Sequence, residues 1–355
     1  MSTHTSTPNQ PGATAGGVDG PLDDAFDIML VGWSFMRSKL LLTAMELGLF
    51  EALSKESGTA EQITGRLGLH RRGVPDFLDA LVALGVLARD EAGVYRNSPA
   101  AGRHLIPGQQ GYVGGFLKMT TDFMGAGWES LADMLRSGDA HGQDANKVPF
   151  AQIFRDPQRL RQFLSAMDSL NGAIGPELAR QYDWSQHKSF VDVGGARGNL
   201  ACTLLLAHPH LTGGVFDRPV MKPFLEELAQ ERGVPDRVGF HGGDFYVNDI
   251  PSADVVVFGN VLHDCPVEAR KSLIAQAAER VPAGGAVIVY DPMIDDARTD
   301  ADTLLMSLTM MLQSPAGNEY TAAECRSWME EAGLDVESVF RLPAHATAVV
   351  GRKRA

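Results

Sequence analysis

The stretch Ser189–Leu200 (Ser-Phe-Val-Asp-Val-Gly-Gly-Ala-Arg-Gly-Asn-Leu) limits the fold of this chain more than any other. Phe190, Val191 and Val193 read as a parallel strand buried on both faces. Gly194-Gly195-Ala196-Arg197-Gly198 reads as a tight turn, and from Asn199 a helical pattern runs through Leu200, Leu204 and Leu205. Strand, glycine turn and helix together open a nucleotide-binding βαβ unit, in which glycine lets backbone approach a ligand where a Cβ would clash.

The kind of nucleotide follows from what the turn lacks. A dinucleotide fingerprint needs glycine at its first, third and sixth positions; counted from Gly194, the third is Ala196 and the sixth Asn199. The lysine and hydroxyl of a phosphate-binding loop are also missing. An acid on the strand followed by Gly-Gly-x-x-Gly, with no pyrophosphate cradle, suits a cofactor built of an adenosine and an amino acid: S-adenosylmethionine.

Strands and helices then alternate through residues 189–353. Thr212–Phe216 ends in Asp217, placed to accept both hydrogen bonds of a ribose diol. Val238–His241 leads to Asp244 and Phe245, a carboxylate for an adenine amino group and a ring to pack on the base. Ala253–Phe258 runs into Gly259 and on to His263-Asp264-Cys265, with Pro266 opening a helix to Arg280. Ala286–Tyr290 ends in Asp291, Asp302–Leu312 is a helix, Glu319 precedes a helix Thr321–Ala332, and Val336–Phe340 with Ala346–Val350 close the sheet as a hairpin. Ligands in open α/β sheets bind at the carboxyl ends of strands. Gly194, Asp217, Asp244, His263 and Asp291 all fall there.

Upstream of the sheet, residues 1–20 read as a disordered tail with too little apolar surface to order itself. Pro21–Leu53 reads as two amphipathic helices, one presenting Phe26, Met29, Leu30, Trp33 and Met36, the other Leu40–Ala44, Leu47, Leu49 and Leu53; so apolar a start predicts a homodimer through these helices. Thr59–Arg103 has a winged-helix layout: a helix Ala60–Leu67, a second over Arg71–Leu84, and a hairpin wing from Val86–Ala88 and Val94-Tyr95. Its six arginines against five acids, with Asp76 and Asp79 on the would-be recognition helix, favour a dimerisation platform over DNA binding. Gly111–Arg180 reads as helical, broken at Gly125–Gly127, Gly138–Gly142 and Pro157, with Phe116, Phe123, Met124, Trp128, Phe150, Phe154, Phe163 and Met167 recurring as core or pocket lining. The expected domains are thus residues 21–110 for dimerisation, 111–185 as a helical connector, and 186–355 for cofactor binding and catalysis.

The net charge of −13 argues against nucleic acid or an anionic membrane as partner. No apolar run reads as long enough to span a bilayer, and no secretion signal is visible. Cys202, Cys265 and Cys325 form no metal or disulfide pattern, and no metal site is predicted. A cytoplasmic location fits.

With these residues assembled, the chain resembles the small-molecule O-methyltransferases, the plant caffeate, flavonoid and acetylserotonin enzymes and their bacterial counterparts in antibiotic pathways. Asp192–Gly198, Gly243-Asp244-Phe245, Val261-Leu262-His263-Asp264 and Gly317-Asn318-Glu319-Tyr320-Thr321 carry the resemblance, which extends over nearly everything after Pro21. It implies an α/β fold, a class I methyltransferase Rossmann-like seven-stranded sheet behind an N-terminal helical, winged-helix dimerisation domain. It implies His263 as general base flanked by Asp291 and Glu319. Gly194, Gly195, Gly198, Asp217, Asp244, Phe245 and Gly259 would surround the cofactor, and Phe163, Met167, Met310 and Ser314 the substrate. Three positions depart from the family: Ala196 replaces a glycine, Cys265 stands where tryptophan is usual, and Gly259 where lysine or serine is frequent.

Methyl transfer from a sulfonium needs an aligned oxygen nucleophile and a base for its proton, and imidazole suits a phenol. The expected substrate is a phenolic or quinone-like aromatic small molecule, polyketide-derived in secondary metabolism. Two alternatives stand beside this one. The same fold and cofactor can be repurposed for hydroxylation, decarboxylation or rearrangement, and a winged-helix regulator with a ligand-sensing domain fits the domain order.

Overall fold

A computed structural model describes residues 22–109, 111–120, 124–140 and 153–354. The expected tail at residues 1–20, and Phe123 and Phe150, lie outside the described residues. The chain divides into two compact units, one ending at Gly114 and one beginning at Gly115.

In the first unit α1 (Ala25–Glu46) starts from a capping box in which Asp24 and Asp27 satisfy each other's backbone N–H groups. The two amphipathic helices expected here divide elsewhere. α1 continues through Leu40–Ala44, and the break comes at Gly48, whose φ of 67° favours glycine, before α2 (Leu49–Lys55). Nor does α1 have one apolar face, since Phe26, Ile28, Val31, Trp33, Phe35 and Met36 are all exposed and point around the helix. At 22 residues it is long and apolar enough, by length and composition, to cross a membrane, which corrects the reading that no such run exists. Arg37 and Lys39 make the run look interrupted in sequence, but a helix carries two charges without ending.

α3 (Ala60–Arg66) is capped by Thr59 and Gln62, and α4 (Val74–Ala83) buries Val74, Leu78 and Leu81 at helical spacing. β1 (Leu87–Arg89) and β2 (Tyr95–Asn97) form the antiparallel wing, followed by α5 (Pro99–His104). Asp79 is occupied within the unit. It accepts hydrogen bonds from Arg89 on the wing and from the Tyr95 hydroxyl at 2.7 Å, and these hold its carboxyl below the usual range.

The second unit takes in α6 (Gly114–Met119) from Gly115 on, then α7 (Gly125–Trp128), α8 (Leu131–Ser137) and the long α9 (Pro157–Gln181). Two expected breaks are helical. Gly125–Trp128 forms a turn of helix, and Pro157 opens α9, where a missing N–H costs nothing.

The seven-stranded sheet is built from β3 (Ser189–Val193), β4 (Thr212–Asp217), β5 (Val238–Gly242), β6 (Val255–Gly259), β7 (Ala286–Asp291), β8 (Leu334–Arg341) and β9 (Thr347–Lys353), in spatial order β5-β4-β3-β6-β7-β9-β8. The first five are parallel; β9 runs antiparallel to β7 and pairs with β8. β6 shows why it is an unbroken apolar run: Val255 and Val257 join the core with α9 and α10 (Asn199–Ala207), while Val256 and Phe258 join the core on the opposite face. α11 (Lys222–Arg232), α12 (Val267–Arg280), α13 (Ala301–Gln313) and α14 (Ala322–Glu331) complete the unit. Strand order reverses at β3, which has β4 on one side and β6 on the other. A crevice forms at the carboxyl ends of such a pair.

Candidate active site

A cavity of about 340 Å³ opens at that crevice. Gly194, Ala196, Asp217, Gly259, Asn260 and Val261 line it from the strand ends, Phe163, Met167 and Asn171 from α9, and Phe245, Tyr246 and Ser314 from loops.

The glycine turn is shaped by close contacts. Gly194 has φ 71°, and a Cβ there would lie 2.6 Å from Val261. Ala196 also takes a left-handed conformation, φ 50°, which costs an alanine about 1 kcal/mol. In this conformation its N–H donates to Asp217 Oδ2 at 2.8 Å, while Arg218 N–H donates to Oδ1 at 2.6 Å. Each carboxylate oxygen keeps a lone pair for a diol. Burial pushes Asp217 up to about 6 against those two hydrogen bonds. Arg197 reaches back from the turn to Asp168 Oδ2 at 2.6 Å and ties the turn to α9. Gly195 and Gly198 are not on the wall. A Cβ on Gly195 would press the Asp192 carboxylate at 2.4 Å, and one on Gly198 would meet Leu225. Asp244 is likewise off the wall, its Oδ1 accepting the Tyr246 N–H at 2.9 Å.

Gly259 has a physical reason to lack a side chain. A Cβ there would sit 2.0 Å from Cζ of the buried Tyr290 ring. Gly259→Ala is expected to destabilise the protein by about 2–3 kcal/mol. Chemical denaturation measures this, and Tyr290→Leu in the same chain should restore most of the loss. A Gly259→Ala protein as stable as wild type would contradict the packing described. Cys265 is buried, and its sulfur accepts the Tyr246 hydroxyl at 3.1 Å, so Tyr246 on the cavity wall stands beside the place of the larger residue.

Beyond Gly259 the chain turns once, Leu262–Asp264, and places His263 at 8% exposure. Its Nδ1 lies 2.7 Å from Glu319 Oε1 and 3.7 Å from Asp291 Oδ1. Asp291 Oδ2 accepts the Tyr320 hydroxyl, and Ser307 Oγ accepts the Glu319 N–H at 3.1 Å. Asp291 Oδ1 and Glu319 Oε2 are buried without a hydrogen-bond partner among the described residues. Burial alone would depress the imidazole's pKa, but the Glu319 and Asp291 charges outweigh it and raise His263 to about 10. Burial pushes Asp291 up to about 7, opposed by His263. The three residues expected to cooperate in catalysis are therefore one cluster. His263 itself does not line the cavity, although its neighbour Asp264 does. Met310 is buried in α13 and also off the wall, whereas Phe163, Met167 and Ser314 are on it.

Sequence reasoning missed Arg270. Only 1% exposed, it donates from Nε to the Leu262 and Cys265 carbonyls, both at 2.8 Å, and from Nη2 to Asn318 O and Oδ1, both at 2.8 Å. Tyr320 and Trp328 face its guanidinium. It thereby joins the His263 turn to the loop that carries Glu319. The available signal was its register: Arg270 occupies the inward face of α12 with Leu273, Ile274 and Ala277.

Buried protons make the ligand-free fold pH-sensitive. Asp192, pushed up to about 8 by burial and then by the Asp217 charge, joins Asp217 and His263 in holding a proton more tightly folded than unfolded. Each contribution is complete below the ordinary pKa, 3.8 for the acids and 6.5 for imidazole, and disappears as pH rises through the folded value. The melting temperature should therefore fall between about pH 6 and about pH 9. A rise over that range, measured by calorimetry, would contradict these assignments.

Residues 128–335 match the O-methyltransferase domain model and residues 31–106 the O-methyltransferase dimerisation domain model. The chain belongs to the O-methyltransferase family. This O-methyltransferase is 43% identical to the tetracenomycin polyketide synthesis 8-O-methyl transferase of Streptomyces glaucescens over 92% of its own length and 96% of that protein's. It is 40% identical to the N,N-dimethyltransferase OxyT of Streptomyces rimosus, over 91% and 94% of the two chains. Human N-acetylserotonin methyltransferase, solved in complex with S-adenosylmethionine, shares its fold with a TM-score of 0.84 at 24% identity, over 95% of this chain and all of that one.

Proposed function

We propose that this enzyme methylates a hydroxyl of an aromatic, polyketide-derived small molecule from S-adenosylmethionine, with His263 as general base, and that it works as a homodimer through its first unit. The observation that carries the reading is the His263–Glu319–Asp291 cluster, whose His263 stands in the chain between the cavity-lining Asn260 and Asp264. The 8-O-methyl transferase of tetracenomycin synthesis supports the substrate class, and the dimerisation domain match supports the assembly.

The cavity's own residues fit the cofactor. Gly194 and Gly259 bring bare backbone to the wall, their Cβ positions being taken up by Val261 and Tyr290, Asp217 offers two carboxylate oxygens, and Phe245 and Tyr246 offer ring surface. S-adenosylmethionine, when bound, supplies an electrophilic methyl group. Glu319 accepts the Nδ1 proton of His263 and so fixes the tautomer, leaving Nε2 to take the acceptor's proton. The imidazolium that forms is stabilised by Glu319 and Asp291, whose unpartnered oxygens face no competing donor among the described residues. Phe163 and Met167 give the acceptor ring an apolar wall one helical turn apart.

Incubation with methyl-labelled S-adenosylmethionine and a panel of phenols and aromatic amines tests the reading. Label recovered as an aryl methyl ether supports it. Label on nitrogen, as the OxyT relationship also allows, or consumption of substrate without label would replace it.

A further inference from the structure

One buried hydroxyl has no part in the chemistry above. Tyr290, on β7 and 1% exposed, donates to Asn171 Oδ1 at 2.9 Å. Asn171 stands one turn beyond Met167 on α9, which stands one turn beyond Phe163, so the three share a helix face, and all three line the cavity. A carboxamide whose oxygen is held in this way has only its Nδ2 hydrogens left to offer. Asn260 and Gln313 are also amides on this wall, but among the described hydrogen bonds only Asn171 has its oxygen fixed from the core. The Tyr290 ring packs where a Cβ on Gly259 would be, so hydroxyl and amide meet beside a position with no side chain of its own.

Strand order says which part of a ligand reaches that place. Asp217 ends β4, Gly194 follows β3, Gly259 ends β6 and Tyr290 lies on β7, in the spatial order β4-β3-β6-β7. Phe245 follows β5, beyond β4 on the opposite side. With the ribose on Asp217 and the base toward Phe245, the remaining part of the donor must extend the other way, across β3 and β6 toward Asn171. That part is an α-amino acid, whose carboxylate needs N–H donors. The cavity's guanidinium, Arg218, is at the β4 end, 4.5 Å over the Phe154 ring.

We propose that Asn171, oriented by the Tyr290 hydroxyl, donates from Nδ2 to the α-carboxylate of the donor's amino-acid end. The inference rests on the cavity being the S-adenosylmethionine site. Calorimetric titration of wild type, Tyr290→Phe, Asn171→Ala and the double variant with S-adenosylhomocysteine and with 5′-methylthioadenosine, which keeps the nucleoside but lacks the amino acid, tests it. Tyr290→Phe keeps the buried ring. Each single variant should bind S-adenosylhomocysteine about ten-fold more weakly and 5′-methylthioadenosine within about two-fold of wild type. The double variant should be no weaker than Asn171→Ala alone. Equal weakening of both ligands, or unchanged S-adenosylhomocysteine binding, would overturn the assignment. A wild-type protein that bound neither ligand would overturn the cofactor reading beneath it.

Discussion

Replacing His263 with alanine should lower kcat/KM toward a phenolic acceptor by about a thousand-fold and leave S-adenosylhomocysteine affinity within about two-fold. The separation follows from position. His263 is held by Glu319 and Asp291, while the strand-end groups expected to hold the cofactor, Gly194 and Asp217, belong to β3 and β4. The raised pKa of about 10 adds a pH signature. Only neutral imidazole accepts a proton, so wild-type kcat/KM should climb as pH rises above neutrality, while the variant should follow the ionisation of the phenol itself and its deficit should narrow as pH approaches the phenol's pKa of about 10. Full turnover by His263→Ala would end the general-base reading, and a parallel collapse of cofactor affinity would make the histidine structural.

Arg270→Met should lower stability by about 3–5 kcal/mol, because four backbone carbonyls and the Asn318 side chain lose a buried charged donor together. Its effect should extend to the His263–Glu319 hydrogen bond, since Asn318 N–H also donates to the His263 carbonyl at 2.9 Å and Arg270 braces the same two loops. Denaturation measures the first effect and the low-field imidazole proton resonance the second. Arg270→Lys keeps the charge but not the planar fork, and should recover only part of either. An Arg270→Met protein as stable as wild type, with the imidazole signal unmoved, would contradict the bracing role.

Much of this was readable from residue order because parallel strands buried on both faces leave an unmistakable apolar signature, as in Val255–Phe258 and Ala286–Tyr290. The strand ends then put Gly194, Asp217 and Asp291 at the carboxyl edge of the sheet, and the family resemblance named Glu319, which meets His263 from 56 residues away. What stayed hidden depends on packing between distant segments. Tyr290 reads as one more apolar strand residue until its hydroxyl is seen on Asn171. Gly259 reads as a missing side chain until the Tyr290 ring is found in its place. α1 misled for a different reason: a helix apolar on all sides has no period to reveal where it stops, and only Gly48 marks the end. Gly195, Gly198 and Asp244 belong to the motifs, yet the two glycines pack the turn and Asp244 bonds within its own loop rather than lining the cavity, a distinction their spacing does not encode.

The rate of methyl transfer to a graded series of phenols tests the proton-removal claim most directly, with wild type and His263→Ala compared at one pH. If His263 removes the acceptor's proton, the deficit of the variant should be large for an ordinary phenol of pKa about 10 and nearly vanish for phenols that electron-withdrawing groups have already ionised. A deficit of the same size across the whole series would contradict the account.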